Sequence, residues 1–280
     1  MEEKDIEENE TRKTKKKISV MGISLWRLMA YFIIYSMIGF VIETLFGLIT
    51  KGVIESRQSF LYGPFCAIYG VGAVFMIPLL QRFKKNNYTL FIGGVVIGSL
   101  IEYLISLIGD FIFHIKWWDY SDMPFNINGR ICIAFSFFWG ILAIYLMSHF
   151  NPIIDKLIDR IKEKSSLKIL KIACVLTIIL ILFDFLITGF ALKMFFTRVV
   201  TEHNIELLEH NEYILECTEL YKNDEIKDFT LKYFSDEKML KTFPNIKVTG
   251  KDGDVIWICD VLEDIQPYYV RVFTPYNINK

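Results

Sequence analysis

The chain has 280 residues, 53% of them hydrophobic and 15% aromatic, with a formal net charge of −1. The hydrophobic residues gather in runs too long for a soluble fold, and a charge near zero gives no electrostatic basis for a nucleic-acid partner. Charged residues concentrate in an N-terminal tail (1–24), in the loops between apolar runs and in the C-terminal third.

The first apolar run covers 26–49, with Arg27 at its start and Glu43 inside it; the others cover 63–80, 88–108, 131–147 and 172–192. Crossing the hydrocarbon core takes about 20 apolar residues at roughly 1.5 Å each. The runs therefore predict about five transmembrane helices within 25–192. A signal peptide is not expected, because the run after Lys15, Lys16 and Lys17 is too long and no small-residue cleavage site follows it.

Positive charge sets orientation. Arg12, Lys13 and Lys15–Lys17 precede the first span, Arg82, Lys84 and Lys85 follow the second, and Lys156, Arg160, Lys162, Lys164 and Lys168 follow the fourth. The alternate loops offer only Lys51 with Arg57, and Lys116 with Arg130. The bias places the N-terminal tail in the cytoplasm and the segment 193–280 outside, in a membrane that the Ile- and Lys-rich composition fits as a bacterial plasma membrane.

That last segment differs in kind. Glu206, Glu209, Glu212 and Glu216 mark an acidic amphipathic helix, and 246–248 and 255–259 flank Asp252-Gly253, a hairpin signal. The expectation is a small α+β appendage packed on the membrane domain or on a second copy of the chain. Cys66, Cys132 and Cys174 lie in spans as small hydrophobes. Cys217 and Cys259 lie outside, where a disulfide is permitted but not demanded by spacing.

Spans one and three share a pattern: Ile38-Gly39-Phe40-Val41-Ile42-Glu43 aligns with Ile97-Gly98-Ser99-Leu100-Ile101-Glu102. Spans two and four begin alike, Gly63-Pro64-Phe65-Cys66 against Gly129-Arg130-Ile131-Cys132. The fold class expected is an all-α polytopic membrane protein: a duplicated helical hairpin in parallel repeat, one further helix and the appendage. Ser36, Gly39, Glu43 and Gly47 fall on one helix face, as do Gly94, Gly98, Glu102 and Ser106. Small residues let helices approach closely where lipid offers no hydrophobic drive.

Span five adds Asp184, with Thr177 and Thr188 beside it. Glu43, Glu102 and Asp184 each lie roughly 10–14 Å from the outer end of their helix, so they are expected in one layer. An intramembrane carboxylate costs several kcal/mol unless neutralised, paired or hydrated. The nearest cations are Arg57 and Arg130, whose forked side chains have the reach to hold a carboxylate. Two readings stand: an outward-facing polar cavity for a proton, cation or polar solute, or a structural ion-pair network. Asp119 and Asn126, interleaved with the aromatics of 117–125, and Tyr62 in the first outer loop suggest loops folded over a polar mouth.

Several of these motifs together resemble a known family. Tyr35-Ser36-Met37-Ile38-Gly39-Phe40 with Glu43, Phe60-Leu61-Tyr62-Gly63-Pro64 with Ile68-Tyr69-Gly70, and Trp118-Asp119-Tyr120-Ser121 with Pro124-Phe125-Asn126 and Gly129-Arg130-Ile131 are similar to the CmpB-like, ABC-transporter type IV membrane proteins of bacteria. The resemblance covers roughly 25–200 and implies an ABC-type permease with no settled substrate or mechanism, for which a separate ATPase subunit is a candidate partner. The chain shows neither the Glu-Ala-Ala docking loop of import permeases nor a Gly-x-x-x-x-Gly-Lys-Ser/Thr phosphate loop. The stretch 151–168 is the one cytoplasmic loop large enough to dock a partner, and its basic, helix-like pattern fits anionic lipid equally.

Two other classes remain in play. A sensor or assembly factor would act through the appendage. A membrane enzyme is disfavoured, because His114, His149, His203 and His210 are scattered, with no pair at metal-ligand spacing on a span and no Ser or Cys near a likely base. No cofactor or metal is implied. The orientation predicts that alkaline phosphatase fused after Lys280 is active in intact bacteria and a green fluorescent protein fused there is dark; the reverse result inverts the topology.

Overall fold

The computed structural model describes residues 19–113, 118–207, 212–252, 255–265 and 269–274. Helix α1 spans Leu25–Lys51, α2 Ala67–Leu80 with a 3-10 turn Gln81–Phe83, and α3 Asn87–Phe113. Helix α4 spans Ile133–Tyr145, α5 Asn151–Lys164 and α6 Leu167–Glu202. Short helices follow in the C-terminal segment: α7 Glu212–Tyr221, α8 Asp224–Tyr233, α9 Asp236–Thr242 and α10 Ile258–Val261. The chain is mostly helical, with a few small strands.

Among the described residues four helical stretches are long and apolar enough to cross a membrane: Leu25–Lys51, Asn87–Ile108, Ile133–Lys164 and Leu167–Glu202. The second expected span is shorter. Gly63 adopts φ +81° in a turn, so no helix starts there, and the helical stretch Ala67–Phe83 reaches only about 25 Å. Helix α4 does not stop near Met147 but continues through a π-helical turn, Leu146–Phe150, into α5. Pro152 explains the widened turn, because it has no N–H to return to the preceding turn and its ring pushes that turn open.

Helices α1 with α2, and α3 with α4, form the two main antiparallel helix pairs, with α2 also against α3 and α6 against α1. One apolar core joins α1 to α5 at the α1 N-terminal end through Leu28, Tyr31, Ile77, Leu80, Met147 and Ile158. A second forms at the C-terminal end of α6. There Ala191, Phe195 and Val199 pack on Phe234, Met239, Leu240, Ile258 and, from the first loop, Leu61. The segment expected to begin at Lys193 is thus organised around the last turns of α6, which runs on to Glu202 over about 54 Å in all.

Arg198 anchors this second core. It is 1% exposed, donates to the Phe234 carbonyl at 2.9 Å and pairs with Asp236. Tyr221 donates to Glu202 at 3.2 Å, and burial together with that carboxylate pushes its phenol up to about 12. Asn223 and Ser235 cap α8 and α9 with their side chains.

Strands β4 Lys247–Thr249 and β5 Val255–Trp257 pair antiparallel with Val248 opposite Ile256, close to the expected hairpin; Gly253 in its turn lies outside the described residues, and Ile258 and Cys259 enter α10 instead. Strands β1 Ser19–Val20 and β2 Ile23–Ser24 pair before α1. Strand β3 Val53–Ile54 pairs with β6 Val270–Arg271, which ties the end of the chain to the loop after α1. Of the acidic run expected as helix, Glu206 lies outside one and pairs with Lys251, while Glu209 is not described. Among the described residues Cys217 and Cys259 form no disulfide.

Removing one partner of a buried ion pair leaves the other charge uncompensated. Asp236→Ala is therefore expected to destabilise the C-terminal segment by about 3 kcal/mol. Limited proteolysis of the full chain should then cut after Glu202 while the helices before it stay protected.

Candidate functional site

Glu43 sits where α1 crosses α2. Gly39, one turn earlier, lies under the Tyr69 ring, where a Cβ would clash. The same Tyr69 donates its hydroxyl to Glu43 Oε1 at 2.9 Å. Below this contact Gly70 meets Ser36 and the Phe32 carbonyl, so the two helices touch nearly backbone to backbone. Glycine sets the separation, and the separation brings the tyrosine to the carboxylate.

The α3–α4 crossing repeats the arrangement. A Cβ at Gly98 would stand 2.5 Å from Trp139 Cβ, and Trp139 Nε1 donates to Glu102 Oε2 at 2.8 Å. Tyr120 donates its hydroxyl to Glu102 Oε1 at 3.0 Å. In the expected alignment of the hairpins Phe135 is the counterpart of Tyr69 and lacks the hydroxyl. Tyr120 stacks on Phe135, with ring centroids 4.6 Å apart and planes 14° apart, and supplies that hydroxyl from the loop. Cys66 and Cys132 occupy the same N-cap position of α2 and α4 in extended conformation.

The loop before α4 is built to hold Tyr120 in place. Its backbone N–H donates to the Gly129 carbonyl at 2.8 Å, and Trp118 Nε1 donates to the Arg130 carbonyl at 2.9 Å. Asp119 Oδ1 accepts from the Ser121 N–H and hydroxyl, at 2.9 and 2.6 Å. Asn126 donates to the Ser121 and Met123 carbonyls and accepts from the Gly129 N–H at 3.0 Å. Gly129, at φ +65°, has no room for a side chain: a Cβ would lie 2.6 Å from Asp119 Oδ1. Asp119 and Asn126 thus shape the loop that carries Tyr120. Burial and the adjacent Glu102 carboxylate push the Tyr120 phenol above its ordinary range, so it keeps its proton.

Asp184 on α6 has different partners. It is 7% exposed and accepts from the Tyr62 backbone N–H at 3.1 Å and the Thr188 hydroxyl at 3.2 Å. The Leu61 N–H in turn donates to Thr188 at 2.9 Å. The first loop is therefore pinned to α6 through its backbone. The Tyr62 side chain turns the other way, beneath the Lys238 ammonium, 5.1 Å from its ring centroid.

Among the described residues the hydrogen bonds of Glu43, Glu102 and Asp184 come from neutral donors, and no ion pair joins the three acids to Arg57 or Arg130. Arg57 pairs with Glu55 at 2.5 Å and passes over Gly47. Arg130 donates to the Ser106 hydroxyl at 3.0 Å. Gly47 and Ser106 each follow their glutamate by four residues, so both arginines stand one turn, roughly 5 Å of helix rise, beyond the carboxylates. Glu55, 8% exposed, also takes Lys51 and Asn245.

A second polar cluster lies at the α1 N-terminal end, unanticipated in the sequence reading. Arg27, Tyr31 and Tyr35, spaced by four on α1, face Asn151, Asp155 and Asp159, spaced by four on α5. Arg27 pairs with Asp155 at 3.1 Å and Asp159 at 3.2 Å, Tyr31 donates to Asp155 at 2.5 Å, and Tyr35 to Asn151 at 3.4 Å. The matched spacings were the available signal, but reading 151–168 as a loop concealed the second one.

A family profile described as "putative ABC-transporter type IV" (CmpB) matches residues 30–189, more than half of the chain. The chain belongs to this family. The match takes in both glutamate crossings, the Tyr120 loop and Asp184, and ends before Ala191, Phe195 and the C-terminal residues of the second core. With its apolar helices, this makes the chain a membrane protein of transporter type. No curated protein and no solved structure matches the chain.

Trp139→Phe keeps a ring over Gly98 but removes the N–H from Glu102. Leaving a buried carboxylate oxygen unserved should cost about 1–3 kcal/mol. The check is the thermal unfolding midpoint in detergent, which should fall for Trp139→Phe.

Proposed function

We propose that the protein is a transporter-type membrane subunit in which Glu43 and Glu102 exchange a proton during solute movement, with the C-terminal segment outside the cell. The observation that carries this reading is the tyrosine hydroxyl on each glutamate, from Tyr69 and from Tyr120. A hydroxyl donates to a carboxylate and, by rotating, accepts from a carboxylic acid. Each glutamate thus has a satisfied partner in both protonation states. Trp139 donates to Glu102 in either state.

Ionisation at these positions is costly in hydrocarbon, because the nearest arginines are engaged one turn away. Neutralisation by a proton removes that cost without moving a helix. Asp184 is assigned a structural part on other grounds: with Thr188, which accepts from the Leu61 N–H, it ties the backbone of the first loop to α6. In this reading the two loops that deliver Tyr120 and pin Asp184 would cover the polar mouth expected above the acids. Family membership supports a separate ATPase subunit as the energy source, and the chain itself is assigned no catalysis.

The test uses the full chain in sealed vesicles carrying an internal pH dye, under an imposed proton gradient and membrane potential. Proton entry above that of empty vesicles is expected for the wild type. Glu43→Gln/Glu102→Gln should fall to the empty-vesicle rate while keeping its unfolding midpoint, because a glutamine carbonyl still accepts from Trp139 and its amide donates to the tyrosine hydroxyl. Asp184→Asn should instead lower accumulation of folded protein. An unchanged rate in the double variant, or no wild-type entry, overturns the reading.

A further inference from the structure

Helix α5 sorts its charges by side. Asp155 and Asp159 turn inward to Arg27, and Ile154 and Ile158 are buried in the first core. Lys156, Arg160 and Lys164 remain exposed. Beside them runs an apolar stripe that the fold does not cover: Ile153, Leu157 and Ile161 are 62%, 43% and 41% exposed. At 100° per residue the stripe lies between the buried isoleucines and the cations.

The neighbours of α5 determine what meets this face. It is the charged end of the long helical stretch Ile133–Lys164 and leads within two residues into Leu167–Glu202, so it sits where the chain turns back toward hydrocarbon. Phe150 just before it and Ile169 and Ile172 just after it are also exposed, and they continue the stripe onto the lipid-facing surfaces of α4 and α6. An apolar edge continuous with the bilayer, bordered by cations that outnumber Glu163, the exposed acid beside them, has the pattern of a helix lying in the interface. Lysine and arginine stems bury along such an edge while their heads reach phosphate.

We propose that α5 is an anionic-lipid site: Ile153, Leu157 and Ile161 enter the acyl boundary while Lys156, Arg160 and Lys164 bind the phosphates of acidic headgroups. Arg27 supports this, because its pairs with Asp155 and Asp159 offset two acids of the helix and fix its orientation. The site does not depend on proton exchange at Glu43 and Glu102.

The experiment places the full chain in nanodiscs of phosphatidylcholine mixed with phosphatidylglycerol and counts the lipids retained on release by native mass spectrometry. The wild type should retain phosphatidylglycerol in excess of its share of the bilayer. Lys156→Gln/Arg160→Gln/Lys164→Gln should reduce that excess by about fivefold per cation removed. Added salt should reduce it in the wild type too, which needs no variant. Inorganic phosphate or glycerol phosphate in solution should not compete, since neither supplies an acyl chain. Three outcomes overturn the proposal: an excess unchanged in the triple variant, displacement by free phosphate, or unchanged lipid with loss of a co-purifying ATPase subunit, which would make α5 a protein dock.

Discussion

A carboxylate held in hydrocarbon must be met by donors at hydrogen-bond distance, and both helix crossings of this protein are arranged around that requirement. Gly39 and Gly98 remove the side chain that would hold the helices apart, and the aromatic that fills the space carries the donor: Tyr69 in one hairpin, Trp139 in the other. Packing and polar satisfaction are therefore one contact. A bulkier residue at either glycine would disturb both together.

The Tyr120 loop follows from the same requirement. In the second hairpin the residue stacked near the crossing is Phe135, which has no hydroxyl, and the loop brings a tyrosine onto its face. Asp119, Asn126 and the strained positions Phe125 and Asn128, at φ 55° and 54°, serve that placement. Their clustering with aromatics reflects loop construction around one donor. The first loop delivers backbone N–H groups to Asp184 and Thr188 while Leu61 enters the second core. It therefore couples α6, the C-terminal segment and the end of α1, the last through Glu55 with Lys51 and Asn245.

The two ends of the bundle are organised by arginines of opposite kind. Arg198 is buried and holds the C-terminal segment to α6 through Asp236. Arg27 is partly exposed and clamps α5 through Asp155 and Asp159. Each pairs with acids of the segment it holds, and at α5 that leaves Lys156, Arg160 and Lys164 exposed beside the apolar stripe.

Much of this was legible in the amino-acid sequence because it depends on composition and periodicity. Apolar runs near the length of a bilayer, Gly39 four residues before Glu43, Gly98 four before Glu102, and Cys66 with Cys132 at matching helix starts are all local patterns. The family motifs lie in these same stretches. What the sequence could not assign was the partner of each acid. Arg57 and Arg130 had the right charge and reach, but Glu55 and Ser106 lie nearer to them, and the donors to the glutamates come from residues 18 to 37 positions away whose polar atoms face the crossing only after the helices pack. The sequence determined which groups must be satisfied in the membrane; the tertiary structure decided by what, since that choice depends on distances of about 3 Å between elements that no local pattern encodes.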